Sequence, residues 1–167
     1  MKNFENNIQY CKNCLMPSSR PRIIFDKEIC NACKYKNSRK KINYKKRDAE
    51  LVKILNKFRS KKNEYDCIVP WSGGKDSSYI AYQLKFKYGM KPLLATFSPL
   101  IPTQVGINNR KKLLDLGFDH VIFKPDKKVS SYLAKRFFEE RGNPKVAWDA
   151  GINSFPIRLA IEKKIKL

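Results

Sequence analysis

The sequence predicts an α/β fold, a doubly wound parallel sheet, preceded by a small cysteine-rich module. Three observations lead to this prediction. Short apolar strands alternate with amphipathic helices from residue 65 onward. Four of the five cysteines lie within residues 1–46, and a basic helical segment separates the two regions. We therefore expect a zinc-knuckle module over residues 1–46, a basic linker helix over 47–64 and an α/β domain over 65–167.

Composition and charge limit the classes of protein that fit. The 167 residues are 42% hydrophobic, enough for a buried core, and no apolar run is long enough to span a membrane. The N-terminus lacks the apolar stretch of a signal peptide, so we expect a cytoplasmic protein without membrane insertion. The net charge of +21 favours nucleic acid or another polyanion as partner, although the excess of lysine over arginine could also reflect a biased genome.

The N-terminal module is predicted from two Cys-x2-Cys pairs with fifteen residues between them. Two thiolates spaced in this way can reach one metal ion from a tight turn, and two such turns complete a tetrahedron. Four cysteine ligands leave no open coordination position, so the expected ion is a structural zinc whose binding folds the module. An iron–sulfur cluster and a redox pair remain open alternatives. The expected ligands are Cys11, Cys14, Cys30 and Cys33.

The linker carries the most concentrated positive charge in the chain. Residues 34–62 contain 13 Lys or Arg against two acidic residues. Apolar side chains recur at helical spacing and predict a helix over residues 47–59, with one apolar stripe and a basic face. That face could line a polyanion groove or simply be solvated.

The alternating pattern after residue 65 defines the α/β domain. Strands are predicted over residues 67–70, 93–97 and 120–123, and helices over 77–88, 105–116, 129–141 and 155–163. This order predicts parallel strands with right-handed crossovers and a ligand at their carboxyl ends. Residues 165–167 have the pattern of a fourth strand, so we expect the chain to be part of a longer protein.

A glycine-rich loop follows the first of these strands. In Ser72-Gly73-Gly74-Lys75-Asp76-Ser77, paired glycines allow backbone N–H groups to approach an anion, and the following helix contributes its positive end. Lys75 adds a positive charge, and Asp76 could serve a magnesium ion or the helix start. The spacing differs from that of a Walker loop. The strand before it and the helix after it favour a phosphate site over a simple capped turn.

This loop resembles the PP-loop of the ATP pyrophosphatase superfamily, whose domains have the adenine nucleotide alpha-hydrolase-like fold. The resemblance implies ATP and Mg²⁺ as cofactors, a catalytic role for Lys75 and Asp76, and adenylation of a substrate oxygen with release of pyrophosphate. It also implies a binding role for the loop residues and for the end of the second strand: Ser72, Gly73, Gly74, Lys75, Asp76, Ser77, Thr96 and Phe97.

A wider pattern of residues extends along nearly the whole chain. It includes residues 11–17, 20–21, 25–26, 30–33, 66–78, Gly106, Asn109, 150–151, 155–156 and Ala160. In this pattern the chain resembles the N-terminal half of N-acetyl sugar amidotransferases, which convert a sugar acetamido group to an acetamidino group for lipopolysaccharide or flagellin-modifying nonulosonic sugars. The resemblance implies a glutaminase partner that supplies ammonia through a cyclase-like barrel subunit, and an N-acetyl sugar substrate.

Two alternatives remain open at this point. A tRNA-thiolating enzyme can also combine zinc knuckles with this loop, and the positive charge suits tRNA. Thiolation usually requires cysteines near the active site, and none follows Cys67. Nucleic acid is therefore the less favoured partner. The second alternative is an inactive truncated fragment. For Cys67 and for His120, the only histidine, we expect structural roles.

Overall fold

The computed structural model describes residues 8–61 and 64–167 of the chain. Residues 1–7, the start of the predicted zinc-knuckle module, and residues 62–63 of the predicted linker lie outside the described residues. The chain divides into two compact units, Met1–Glu50 and Leu51–Leu167, and the division falls within helix α2 (Tyr44–Lys57). Within the described ranges, no helix combines the length and the apolar character needed to cross a membrane.

The first unit is a β-hairpin and a helix built around clustered cysteines. Strand β1 (Phe25–Asp26) pairs antiparallel with β2 (Ile29–Cys30), and α1 (Asn31–Arg39) follows directly. The described part of this unit buries three hydrophobic residues, all of them cysteines, with four partly buried side chains packed around them. The core of the unit is therefore made largely of its own thiols, as expected for a module too small to fold by apolar burial alone.

Helix α2 begins three residues before the predicted start at residue 47. The Asn43 side chain accepts a hydrogen bond from the backbone N–H of Lys46 (3.0 Å), which satisfies one of the free donors at the helix start. The helix ends at Lys57, two residues before the predicted end.

The second unit contains a three-stranded parallel sheet. Strands β3 (Cys67–Pro70), β4 (Pro92–Phe97) and β5 (Asp119–Phe123) lie in the order β3-β4-β5, with Ile68 opposite Leu93 and Leu94 opposite His120. All three predicted strands are confirmed, each to within one residue at either end. The first five residues of the central strand β4 are buried, which accounts for its uninterrupted apolar run.

Helices cover both faces of this sheet. Helix α3 (Lys75–Tyr82) and α4 (Gln104–Leu114) supply side chains to a core on one face, centred on Val69, Trp71 and Leu94. On the other face, Leu159 of α6 (Val146–Lys163) packs against Leu93 and Ala95. Helix α5 (Lys127–Arg141) contacts α6. The second unit is therefore a mixed α/β structure.

Two predicted helices were wrong in their extent. The helix predicted over residues 77–88 begins at Lys75, and after Tyr82 it continues as a π-helical segment, Gln83–Lys87. The helix predicted over residues 155–163 is twice as long, because it begins at Val146 and contains Pro156 within it. A proline is usually found in the first turn of a helix, so the pattern placed the helix start beside Pro156.

The fourth strand predicted at residues 165–167 is not formed in the described chain. One ladder-like contact exists there, since the backbone N–H of Ile68 donates to the carbonyl of Leu167 at 2.8 Å. This contact lies on the edge of β3 that does not pair with β4.

Candidate functional site

The four cysteines of the first unit form a cluster that could hold a metal ion such as zinc. The sulfur atoms of Cys11, Cys14, Cys30 and Cys33 all lie within 4.8 Å of one another. The Cys11–Cys33 and Cys14–Cys30 sulfur separations are 3.9 and 3.6 Å. A tetrahedral zinc with metal–sulfur distances of 2.3 Å places its ligands about 3.8 Å apart. The donor set and its spacing therefore fit zinc, as the sequence predicts.

Hydrogen bonds and neighbouring thiols shift the pKa values of two cysteines of this cluster in opposite directions. The backbone N–H of Cys30 donates to the Cys11 sulfur (3.3 Å), and this contact is the main cause that lowers the pKa of Cys11 to about 6, against the effect of burial. The pKa of Cys14 is raised to about 12, since the neighbouring thiols and burial outweigh the lowering effect of the Met16 backbone. A bound metal ion would displace the remaining thiol protons, because its positive charge stabilises the thiolates that lie close together.

Asn13 is a further partner of the cluster. Its side-chain amide donates to the Cys33 sulfur at 3.1 Å, an interaction that stabilises a thiolate and orients it. We expect Asn13→Ala to accelerate zinc transfer to a colorimetric chelator by about 10-fold, the lower end for loss of such a contact. Asn31→Ala is the matched control, because the Asn31 amide donates to the Arg22 carbonyl and to no sulfur. Equal release rates in the two variants would contradict this role.

The glycine-rich loop lies between β3 and α3 and turns sharply. Gly73 has a φ of +85°, in the left-handed region that favours glycine. Gly74 caps α3 and donates its backbone N–H to the Ser72 hydroxyl (3.3 Å). The first hydrogen bond of the helix is donated by the backbone N–H of Ser78 to the Gly74 carbonyl. The N–H groups of the first turn that come before Ser78 therefore have no acceptor within the helix. This is the backbone arrangement that receives anions at a helix start.

Trp71 connects the loop to the centre of the sheet. Its backbone N–H donates to the Ala95 carbonyl (2.8 Å), and its indole N–H donates to the Ser78 hydroxyl (2.9 Å). The Thr96 hydroxyl donates to the Trp71 carbonyl, and Thr96 also lies 2.8 Å from His120 Nε2. Because a hydroxyl has one proton and Thr96 gives it to a carbonyl, His120 must donate through Nε2. The loop is thus bonded directly to β4, and through Thr96 to His120 of β5.

A cleft of about 430 Å³ opens at the carboxyl ends of β3 and β4, beside this loop. It brings together three of the predicted site residues, Ser72, Thr96 and Phe97. Ligands of open α/β sheets bind at this end of the strands. The remaining loop residues lie around the start of α3, where Lys75 and Asp76 are exposed and are not among the residues that line the cleft.

Two side chains that were not predicted as site residues also line this cleft. Arg110 comes from α4 and Trp148 from the start of α6. The Trp148 indole nitrogen is buried without a hydrogen-bond partner within the described structure. Gly106, quoted above for the family resemblance, lies one helical turn before Arg110 and also lines the cleft. The spacing of Gly106 and Arg110 is the one signal that could have indicated the arginine.

Phe97 is held by its neighbours on two sides. Its ring stacks on Phe123 with centroids 5.4 Å apart, and a Cβ added at Gly151 would collide with it. Glycine at 151 therefore allows α6 to approach the end of β4 closely. Phe97 forms a fixed apolar wall of the cleft.

A larger cavity of about 770 Å³ lies at the other end of the sheet. It is lined by residues such as Tyr65, Pro92 and Asp119, at the amino ends of the strands. The rule for open α/β sheets and the position of the glycine-rich loop both favour the smaller cleft as the ligand site.

Cys67 and His120 have the structural surroundings that their sequence contexts predict. Cys67 is buried in β3, and burial followed by the charge of Asp66 raises the pKa of its thiol to about 11. It is therefore a small apolar side chain rather than a nucleophile. Burial, followed by the charge of Arg110, lowers the pKa of His120, which favours the neutral imidazole.

Comparison with known proteins gave no assignment: no protein-family model matches the chain, and no curated protein matches it.

Proposed function

We propose that the second unit is a doubly wound PP-loop domain that binds ATP in the cleft beside residues 72–77. The observation that carries this proposal is the convergence of Ser72, Thr96, Phe97 and Arg110 on one cleft at the carboxyl ends of parallel strands. In this arrangement the loop holds the pyrophosphate portion of ATP, and the nucleoside lies toward the aromatic wall at Phe97. The cleft volume of about 430 Å³ is within the range of small-ligand sites.

The loop offers the groups that a triphosphate requires. The N–H groups at the start of α3 and the Ser72 hydroxyl are hydrogen-bond donors for phosphate oxygens, and the Ser77 hydroxyl, which donates to the Gly74 carbonyl (3.4 Å), would have to turn to join them. Lys75 neutralises negative charge. Asp76, in the first turn of α3, is a suitable carboxylate for Mg²⁺, which usually takes one or two protein carboxylates together with phosphate oxygens. Asp76 would hold the ion, which would neutralise charge on the leaving pyrophosphate.

The proposed reaction is the ATP-dependent amidination of an N-acetyl sugar, in line with the resemblance described above. The acetamido oxygen attacks the α-phosphorus, the bond to pyrophosphate breaks, and an adenylated imidate forms. Ammonia then attacks the imidate carbon, loses a proton, and AMP leaves with the former carbonyl oxygen. A glutaminase partner and a cyclase-like barrel subunit would supply the ammonia. The chain's own residues position ATP and neutralise charge.

A labelling experiment tests this reaction. With ATP, Mg²⁺, ammonium chloride and nucleotide-linked N-acetyl sugars labelled with ¹⁸O in the acetamido group, the AMP formed should contain ¹⁸O. Ser72→Ala combined with Asp76→Ala should abolish pyrophosphate release. Ser131→Ala combined with Asp115→Ala, two positions outside both the loop and the lining of the cleft, should retain it. Unlabelled AMP, or full turnover in the first double variant, would contradict the proposal.

The positions of the cysteines favour this reaction over tRNA thiolation. All five lie within the described residues: four form the cluster, and Cys67 is buried with a raised pKa. Cys67, the cysteine of the second unit, does not line the cleft and is a poor nucleophile. AMP formation that depended on added tRNA and a sulfur donor would instead assign the protein to the thiolating class.

The proposed role of the cysteine cluster is structural. Four thiolates complete a tetrahedral zinc without an open position for substrate. Since the buried residues in the described part of the first unit are its own ligands, zinc binding would supply most of its folding free energy.

A further inference from the structure

We infer that Arg110 is an additional binding residue of the cleft, whose guanidinium contacts the phosphate group held by the glycine-rich loop. The inference rests on the proposed function, because it takes a polyphosphate as the ligand of the cleft. It extends the anion site from one segment, residues 72–77, to a second element, helix α4.

Close packing fixes Arg110 over the loop. The Arg110 Cγ lies 2.8 Å from the position that a Cβ on Gly73 would occupy, and the Gly106 carbonyl lies 3.6 Å from it. The absence of a side chain at Gly73 allows this approach. The aliphatic stem of Arg110 therefore covers Gly73, while the residue as a whole lines the cleft together with Ser72. An anion bound by the loop would be adjacent to the guanidinium.

The charge of Arg110 is available to a ligand. Among the ion pairs formed within residues 8–61 and 64–167, none includes Arg110. Burial, followed by the charge of Arg110, lowers the pKa of His120. Neutral His120 in turn adds no competing cation.

Arginine suits this position better than lysine. A guanidinium can donate two parallel hydrogen bonds to two oxygens of one phosphate, whereas an ammonium group acts as a point charge. We therefore expect Arg110→Lys to restore only part of the affinity that Arg110→Ala removes. The loop lysine, Lys75, does not replace this contact, because it lies in the exposed first turn of α3.

Tryptophan fluorescence provides the measurement. The chain has two tryptophans, Trp71 and Trp148, and both line the cleft. The probes are inorganic pyrophosphate, ATP and adenosine. Arg110→Ala should weaken pyrophosphate and ATP binding by 10- to 100-fold, the range for loss of a hydrogen bond to a charged group, and should leave adenosine binding unchanged. Lys111→Ala is the matched control, since the next residue on α4 is exposed and does not line the cleft.

Each result has a distinct meaning. Equal pyrophosphate affinity in Arg110→Ala and the unaltered protein would overturn the inference. So would an equal loss for adenosine, because it indicates damage to the fold, or full retention of affinity in Arg110→Lys, because a point charge would then suffice. If the unaltered protein binds pyrophosphate but not ATP, and Arg110→Ala weakens it, the proposed function fails while the role of Arg110 stands.

Discussion

Removal of the metal ion is expected to unfold residues 8–39 and to leave the parallel sheet intact. The described part of the first unit buries only Cys11, Cys30 and Cys33, so the ion and its ligands are the centre of its core. Structural zinc contributes roughly 10 kcal/mol or more to the folding of such modules. The second unit has apolar clusters of its own on both sheet faces. Hydrogen exchange before and after chelation should show protection lost in residues 8–39 alone.

Two cysteine variants make this expectation specific. Cys30→Ser removes a buried ligand and should reproduce the effect of chelation without a chelator, with zinc content falling below one ion per chain. Cys67→Ser is the matched control, because Cys67 is equally buried but lies in β3, outside the cluster. It should keep one zinc per chain and normal protection in the first unit. Unchanged protection of residues 8–39 after chelation would refute a structural metal.

The elements whose signals are local in sequence could be predicted. The three strands are short apolar runs between polar turns, and each was predicted to within a residue. Helix ends were harder, because side-chain caps decide them: Thr103 accepts from the Gly106 N–H, and Asp126 accepts from the Val129 N–H. These caps start α4 and α5 one or two residues before the first apolar position of the pattern.

The sequence pattern predicts only residues 155–163 of helix α6, because the pattern carries no information about tertiary packing. Pro156 removes one hydrogen bond from the helix interior, which by local rules should start or break a helix. Its ring is buried and lines the cleft, and Leu159 packs on the sheet one turn later. Packing of α6 against β4 compensates for the missing hydrogen bond. A local pattern contains no information about that compensation.

The residues of the candidate sites likewise fall into two groups, those with a local sequence signal and those without one. The four cysteines and the loop are encoded as spacings within short segments, so the metal cluster was predicted and confirmed as a possible metal site. Arg110 and Trp148 come from α4 and α6, more than 30 residues after the loop. Their arrival at the cleft depends on the order of strands and on the close approach that glycines permit. Only the folded chain brings them to one place.

Gly73→Ala is expected to reduce ATP binding by at least 10-fold. The residue has a φ of +85°, where a side chain costs about 1–2 kcal/mol, and its new Cβ would meet the Arg110 stem at 2.8 Å. Relief of that contact must move either the loop or Arg110, and each supplies groups to the proposed phosphate site. The measurement is ATP titration followed by tryptophan emission, with thermal unfolding recorded on the same samples.

Gly89→Ala separates the effect on the site from backbone strain. Gly89 also has a positive φ, +60°, but nothing lies within 4 Å of the position that its Cβ would take. We expect it to lose a similar 1–2 kcal/mol of stability, by the same backbone penalty, and to keep its ATP affinity. If both variants lose affinity in proportion to their lost stability, the loop has no special part in binding. A loss confined to Gly73→Ala would link nucleotide binding to the close contact between residue 73 and Arg110.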